Sequence, residues 1–242
     1  MQLYNDDLIR GLHLAPKLTH EHVHLNPYSK MKVYLATQVL SYTVAKVLYR
    51  YYPSDFHATA EFCEMMDLFF DCCNVRNRVE HARTRKEFRK PYCSQDDERF
   101  SWLKETFIPY LETWKKSIQD RPGNFSEAAK AKMFLSEQTF EGLKITVLSL
   151  IEATKFLLAE GCKFVLTERF SQDCLEEYFG RQRQLGRRSD NPDVVQFGYN
   201  DNTIRVVRST APMTGNTKGI YKGRQKSWFS SDDTKLAKRK KC

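Results

Sequence analysis

Leu166–Asn202 reads LTERFSQDCLEEYFGRQRQLGRRSDNPDVVQFGYNDN. Ser171 offers an oxygen to cap a helix, and Asp173, Glu176 and Glu177 put carboxylates into its first turns, where the positive end of the helix dipole stabilises them. Gly186 closes the element. The spacing therefore predicts a helix from about residue 171 to residue 186. Lys163–Arg169 before it is expected to be a strand or an extended entry, and Thr203–Arg208 is the second strand candidate. Beyond Asn191–Pro192 the sequence reads as irregular and polar.

Working outward, the remaining signals are helical. The run Thr139–Glu160 is the most apolar of the chain, and Leu143, Val147, Leu150, Ile151, Phe156 and Leu157 predict a buried helix ending at Gly161. SWLKETFIPYLETWKKSIQ, residues 101–119, is amphipathic and stops before Arg121-Pro122-Gly123; a shorter helical patch follows to about Lys132. Ser54–Asn77 repeats Phe62, Met65, Met66, Phe69 and Phe70 at helical spacing. Ser29–Tyr52 puts Met31, Leu35, Val39, Ser41, Val44 and Leu48 on one stripe, which predicts a single helix stopped by Pro53. Residues 1–30, interrupted by Pro16 and Pro27, are expected to be loop-like, and the charged run 78–99 a solvated excursion. The fold class expected is mainly α.

Composition bounds the function. Hydrophobic residues make up 41% and aromatics 13% of 242 residues, enough for a packed core, and no apolar run reaches the ~18 residues of a membrane span. The first residues lack the basic-then-apolar order of a secretory leader, and the seven cysteines are odd in number with Cys72 and Cys73 adjacent. Both features lead to the expectation of an intracellular protein with free thiols. The net charge of +9 is unevenly placed: Arg181–Cys242 holds 15 Lys or Arg against 5 Asp or Glu, leaving 24 against 25 for residues 1–180. A basic flexible tail is expected at 204–242, and LAKRKK at 236–241 is compatible with a nuclear import signal.

Within Leu166–Asn202 the order Gln172, Asp173, Glu176, Phe179, Gly180, Arg183, Gly186, Asn191, Pro192 and Phe197 resembles the end of the RNase H-like catalytic domain of P-element-type transposases, the family that includes THAP-domain transposases. PKLTHEHVHLNPYSKMKVYLATQVLSYTVA, Pro16–Ala45, looks like the opening of the helical insertion domain that splits this fold and binds guanine nucleotide. The resemblance implies a GTP-binding insertion domain at 1–128, the C-terminal part of an incomplete RNase H-like domain at 129–203, and a tail at 204–242. It also implies cut-and-paste transposition by metal-dependent phosphoryl transfer, with Mg²⁺ and GTP as cofactors, transposon-end DNA as partner, no membrane role, and oligomers possible. The family's two catalytic aspartates lie before the insertion domain. The chain is accordingly expected to be a fragment that does not cut DNA alone, and the alternative is a non-catalytic nucleotide- or nucleic-acid-binding protein derived from a transposon.

By that resemblance Glu176 is the catalytic metal ligand, because two metal ions beside a scissile phosphate need several carboxylates on rigid supports. Its other reading is an ordinary dipole partner. Asp173, three residues earlier and on the same helical face, is expected to reach metal and nucleotide, or else to cap the helix. Glu177, about 100° around the helix, is expected to face solvent. No phosphate-binding glycine loop is present, and GNTKG at 215–219 is too short for one. Guanine nucleotide, if bound, is then expected to be held by side chains, and the resemblance implies Lys17 and Lys30 or Lys32 at phosphate and Asp71 with Asn74 at the base. The alternatives are a solvated face for the lysines and a helix cap for Asn74. Arg181, Arg183, Arg187 and Arg188 follow the candidate catalytic helix, where phosphate backbone is expected, or form a solubilising surface. His20, His22 and His24 alternate as on one strand face, a poor layout for zinc.

Overall fold

A computed structural model describes residues 2–11, 13–186 and 193–210, without the side chains of Cys174 and residues 208–210. The described residues are helical: α1 (Gln2–Arg10), α2 (His20–Val23), α3 (Val33–Val39), α4 (Tyr42–Tyr51), α5 (His57–Cys73), α6 (Glu80–Thr84), α7 (Glu98–Ser101), α8 (Ile108–Gln119), α9 (Glu127–Ala131), α10 (Glu137–Ala159), α11 (Asp173–Leu185) and α12 (Val194–Thr210). No strand forms among them. One isolated antiparallel bridge joins Tyr92 and Val165, and the chain then enters a 3-10 turn at Thr167–Phe170, so the strand expected at Lys163–Arg169 is reduced to a single paired residue. The mainly α class holds.

The chain forms two compact units, residues 1–171 and the unit that begins at Gln172. The first contains two cores that share α5. Met65, Phe69, Phe100, Leu103, Phe107, Leu111, Phe140, Val147, Leu150 and Ile151 form the larger, so packing continues across residue 128. Leu3, Ala15, Val44, Ala45, Val47, Leu48, Ala60 and Cys63 form the smaller. Cys72 is completely buried. Burial also pushes the Cys63 thiol up to about 11 and the Cys73 thiol up to about 12, so both stay protonated at neutral pH.

Several expectations are corrected. The single helix over 29–52 is two, because Ser41 takes extended backbone and caps α4: its hydroxyl accepts from Val44 N at 3.4 Å and donates to Gln38 O at 2.9 Å. A short polar side chain competing for backbone groups outweighs the continuous apolar stripe. Met31 is 83% exposed and outside the core. Residues 1–30 are not loop-like throughout, because α1 packs Leu3 and buries Asp7, whose carboxylate accepts Ala15 N at 3.1 Å. His20, His22 and His24 lie on or beside helix α2 rather than on a strand.

The run 78–99 is not an open excursion. Arg99, 4% exposed, donates to Asp97, to Phe88 O and to Lys90 O, and its guanidinium lies 3.6 Å from the Tyr92 ring centroid. A π-helical turn at Trp102–Phe107 joins α7 to α8 just before Pro109, whose missing N–H cannot continue the regular ladder. In α10, Val147, Leu150 and Ile151 are buried, but Phe156 is 62% exposed and lies off the core face.

In the second unit, the irregular stretch expected after residue 192 is α12, and the strand candidate Thr203–Arg208 lies within it. Asp193 caps it, accepting Gln196 N at 2.7 Å. Its contacts to α11 are largely polar, with Phe197 edge-on to Tyr178 at 6.2 Å between ring centroids, which is why apolar periodicity missed it. Gln182 donates to Tyr178 Oη at 2.8 Å, Tyr178 Oη donates to Asp201 at 2.9 Å, and Asn200 Nδ2 donates to Gln182 O at 3.2 Å. Gly186 ends α11 close to α12, where an added Cβ would lie 3.1 Å from Gln196 Nε2 and push that side chain aside by a few tenths of an ångström. The tail expected at 204–242, with GNTKG and LAKRKK, lies outside the described residues from 211 onward.

Candidate functional site

The C-terminal end of α5 is held from two sides. A helix leaves its last carbonyls without intrahelical partners, and here Cys72 O accepts both Thr167 Oγ1 at 2.7 Å and Tyr92 Oη at 3.2 Å. Thr167 Oγ1 also accepts Val75 N at 3.1 Å, and Glu168 N donates to Val75 O at 3.2 Å. Residues 165–168 therefore fix the turn on which Asp71 and Asn74 stand.

Asp71 is 1% exposed, and each oxygen meets a cation: Arg89 Nε at 2.6 Å and Lys86 Nζ at 2.9 Å. Lys86 also pairs with Asp67 at 2.6 Å, and Arg89 with Glu80 at 2.9 Å. Glu80 Oε2 is buried without a partner. Burial opposes the charge on Arg89 most strongly, but its hydrogen bonds and ion pairs with Asp71 and Glu80 together outweigh that and raise its pKa. Both oxygens of Asp71 are thus engaged and closed off from solvent, so a base reaches this carboxylate only where Lys86 or Arg89 gives way. Asn74 caps α5 and is half-buried, and its amide has no hydrogen-bond partner among the described residues. Sequence reading missed Lys86, Arg89 and Glu80, because the chain reverses at Arg85, a non-glycine residue with φ +55°, and no periodic signal survives such a reversal.

The three candidate lysines precede α5 in sequence and are exposed. Lys30 follows a reciprocal turn in which Asn26 N donates to Ser29 Oγ and Ser29 N to Asn26 Oδ1, both at 2.7 Å. Lys32 begins α3 and pairs with Glu21 at 2.5 Å. His22 ties α2 to α3 through Gln38 Oε1 at 2.8 Å, and His20 stacks on His24 at 4.3 Å; these contacts account for the histidines without zinc. Lys17 makes no side-chain hydrogen bond or ion pair among the described residues. Asp71 meets Lys86 and Arg89, not the lysines that the sequence put forward.

Asp173 and Glu176 are both exposed in the first turn of α11, and neither carboxylate has a partner among the described residues. Among those residues no group of three His, Cys, Asp or Glu could hold a metal. Two carboxylates on one helical face still suit Mg²⁺, which takes few protein ligands and completes its shell with water and phosphate oxygens. Glu177 is solvent-facing, as expected, and pairs with Arg181 at 2.6 Å. Arg183 is exposed and unpaired among the described residues, whereas Arg187 and Arg188 lie outside them.

A family model described as "TNP-like, GTP-binding insertion domain" matches residues 2–87, the stretch that carries the candidate lysines, Asp71 and Asn74. Over that stretch the chain is similar to transposase-like GTP-binding insertion domains. The Transposable element P transposase of Drosophila melanogaster is 26% identical over 222 residues, which cover 89% of this chain and 27% of that relative. The Drosophila P element transposase strand transfer complex matches in fold with a TM-score of 0.55 at 23% identity, over 81% of this chain and 42% of that one. The chain therefore spans only a minor part of the length of the curated relative it matches.

Proposed function

We propose that this chain is the nucleotide-binding and terminal catalytic portion of a P-element-type DNA transposase. The observation that carries the reading is the match of residues 2–87 to a GTP-binding insertion domain, coinciding with a buried, cation-held Asp71 beside an unpartnered Asn74. Guanine presents N1–H and the 2-amino group as donors and O6 and N7 as acceptors. Asp71 accepts from the first pair, and the Asn74 amide donates to the second. Lys17, Lys30 and Lys32 neutralise the phosphates.

Asp173 and Glu176 would hold Mg²⁺, which stabilises charge on a phosphoryl group and its attacking and leaving oxygens. Glu176 is the carboxylate this chain contributes to a site of that type, and α11 orients it. Arg181, Arg183, Arg187 and Arg188 hold the backbone of the transposon-end DNA, and LAKRKK at 236–241 directs the protein to the nucleus. The Glu177–Arg181 pair does not prevent the DNA contact, since an exposed pair of this kind is worth ~0.3–0.5 kcal/mol.

Thermal melting with GTP tests the reading. At a hundredfold excess over Kd, a ligand of the folded state contributes ~2.7 kcal/mol. For a chain of this size that is a rise of roughly 5–10 °C. Asp71→Asn keeps the shape of the side chain but replaces an acceptor oxygen by a donor, and should abolish the rise.

A further inference from the structure

We propose a phosphate-binding platform on the insertion domain, built from two basic segments that the fold brings together and distinct from the arginines that follow α11. Residues 76–90 hold seven Arg or Lys against two Glu, a local excess hidden by the near-neutral balance of residues 1–180. The acids are already engaged. Glu80 is buried against Arg89, and Glu87 pairs with Lys90. Arg83 and Arg85 are exposed and have no side-chain partner among the described residues.

The second segment is 163–169. The Tyr92–Val165 bridge and the bonds from Thr167 and Glu168 to Val75 place it beside the first. Two further contacts cross the seam: Arg78 lies 5.2 Å from the Phe164 ring centroid, and Arg76 sits 3.5 Å from Glu168, the one carboxylate of this segment. Lys163 is exposed with no side-chain partner, and Arg169 Nη1 is buried and unpaired. The platform thus presents Arg76, Arg78, Arg83, Arg85 and Lys163, with Glu168 the one acid that meets it, while Arg169 is half-buried.

Its mounting is rigid. The ion pairs of Asp67, Asp71 and Glu80 with Lys86 and Arg89 anchor the segment to α5 from below, so the outer arginines need little ordering when they bind. Guanidinium groups match phosphate geometry, and an arginine lying on an aromatic ring is already oriented. Exposed cations on two adjoining segments, with few competing carboxylates, suit the backbone of a nucleic acid.

The test is binding of a short fluorescent DNA duplex to the full chain across a salt series. Arg83→Glu with Arg85→Glu should weaken binding and reduce the slope of log K against log salt by about two, close to one for each phosphate no longer neutralised. Lys163→Glu, on the other segment, should act in the same direction and carries the test if the double variant melts early. An unchanged slope in folded variants, while Arg181→Ala with Arg183→Ala lowers it, would overturn the platform. So would equal binding of poly-glutamate, which would mark a surface for acidic protein. GTP-dependent melting of the same variants should be unchanged, which separates this inference from the nucleotide reading.

Discussion

Arg99 decides how the segment after α5 is built. Its guanidinium is buried, donates to Asp97 and to the carbonyls of Phe88 and Lys90, and covers the Tyr92 ring. Truncation would leave a half-buried carboxylate and two carbonyls without their donor, and breaking such a buried pair costs ~3–5 kcal/mol. Arg99→Ala should lower the urea midpoint accordingly, with an unchanged slope of stability against denaturant. Residue chemistry of this kind is poorly legible in sequence: Arg99 sits in SQDDERF, which reads as a solvated turn. Asp71 and Asn74 could be put forward from the resemblance because their three-residue spacing at a helix end is local. Lys86 and Arg89 were not, because they reach Asp71 only after the chain reverses at Arg85.

At the scale of the element, apolar periodicity found α5, α8 and α10 and failed wherever a polar group decides the backbone. Ser41 splits one apolar stripe into α3 and α4, and Asp193 opens α12 in a stretch without an apolar face. Ser41→Ala removes the cap of α4 and should cost ~1 kcal/mol in a thermal melt. The destabilisation should be visible although Ser41 lies outside both cores. The same reasoning explains α10: its spacing identified the helix, but Phe156 at 62% exposure shows that an apolar residue on a helix does not define which face the core takes.

Across the whole molecule, the two units differ in what holds them. Residues 1–171 rest on two apolar cores, whereas α11 and α12 meet through Tyr178, Gln182, Asn200 and Asp201, and Ile204 is the apolar side chain buried there among the described residues. Polar contacts and little buried apolar area give low local stability. Hydrogen exchange should therefore be faster for the amides of α11 than for those of α5 and the buried stretch of α10; equal protection would contradict this.

Thermal melting of the full chain with GTP decides whether α5 ends in a guanine-reading site. Millimolar GTP should raise the melting temperature by several degrees, ATP much less, and GTP not at all in a folded Asp71→Asn variant. No rise with GTP, or an equal rise with ATP, would contradict it.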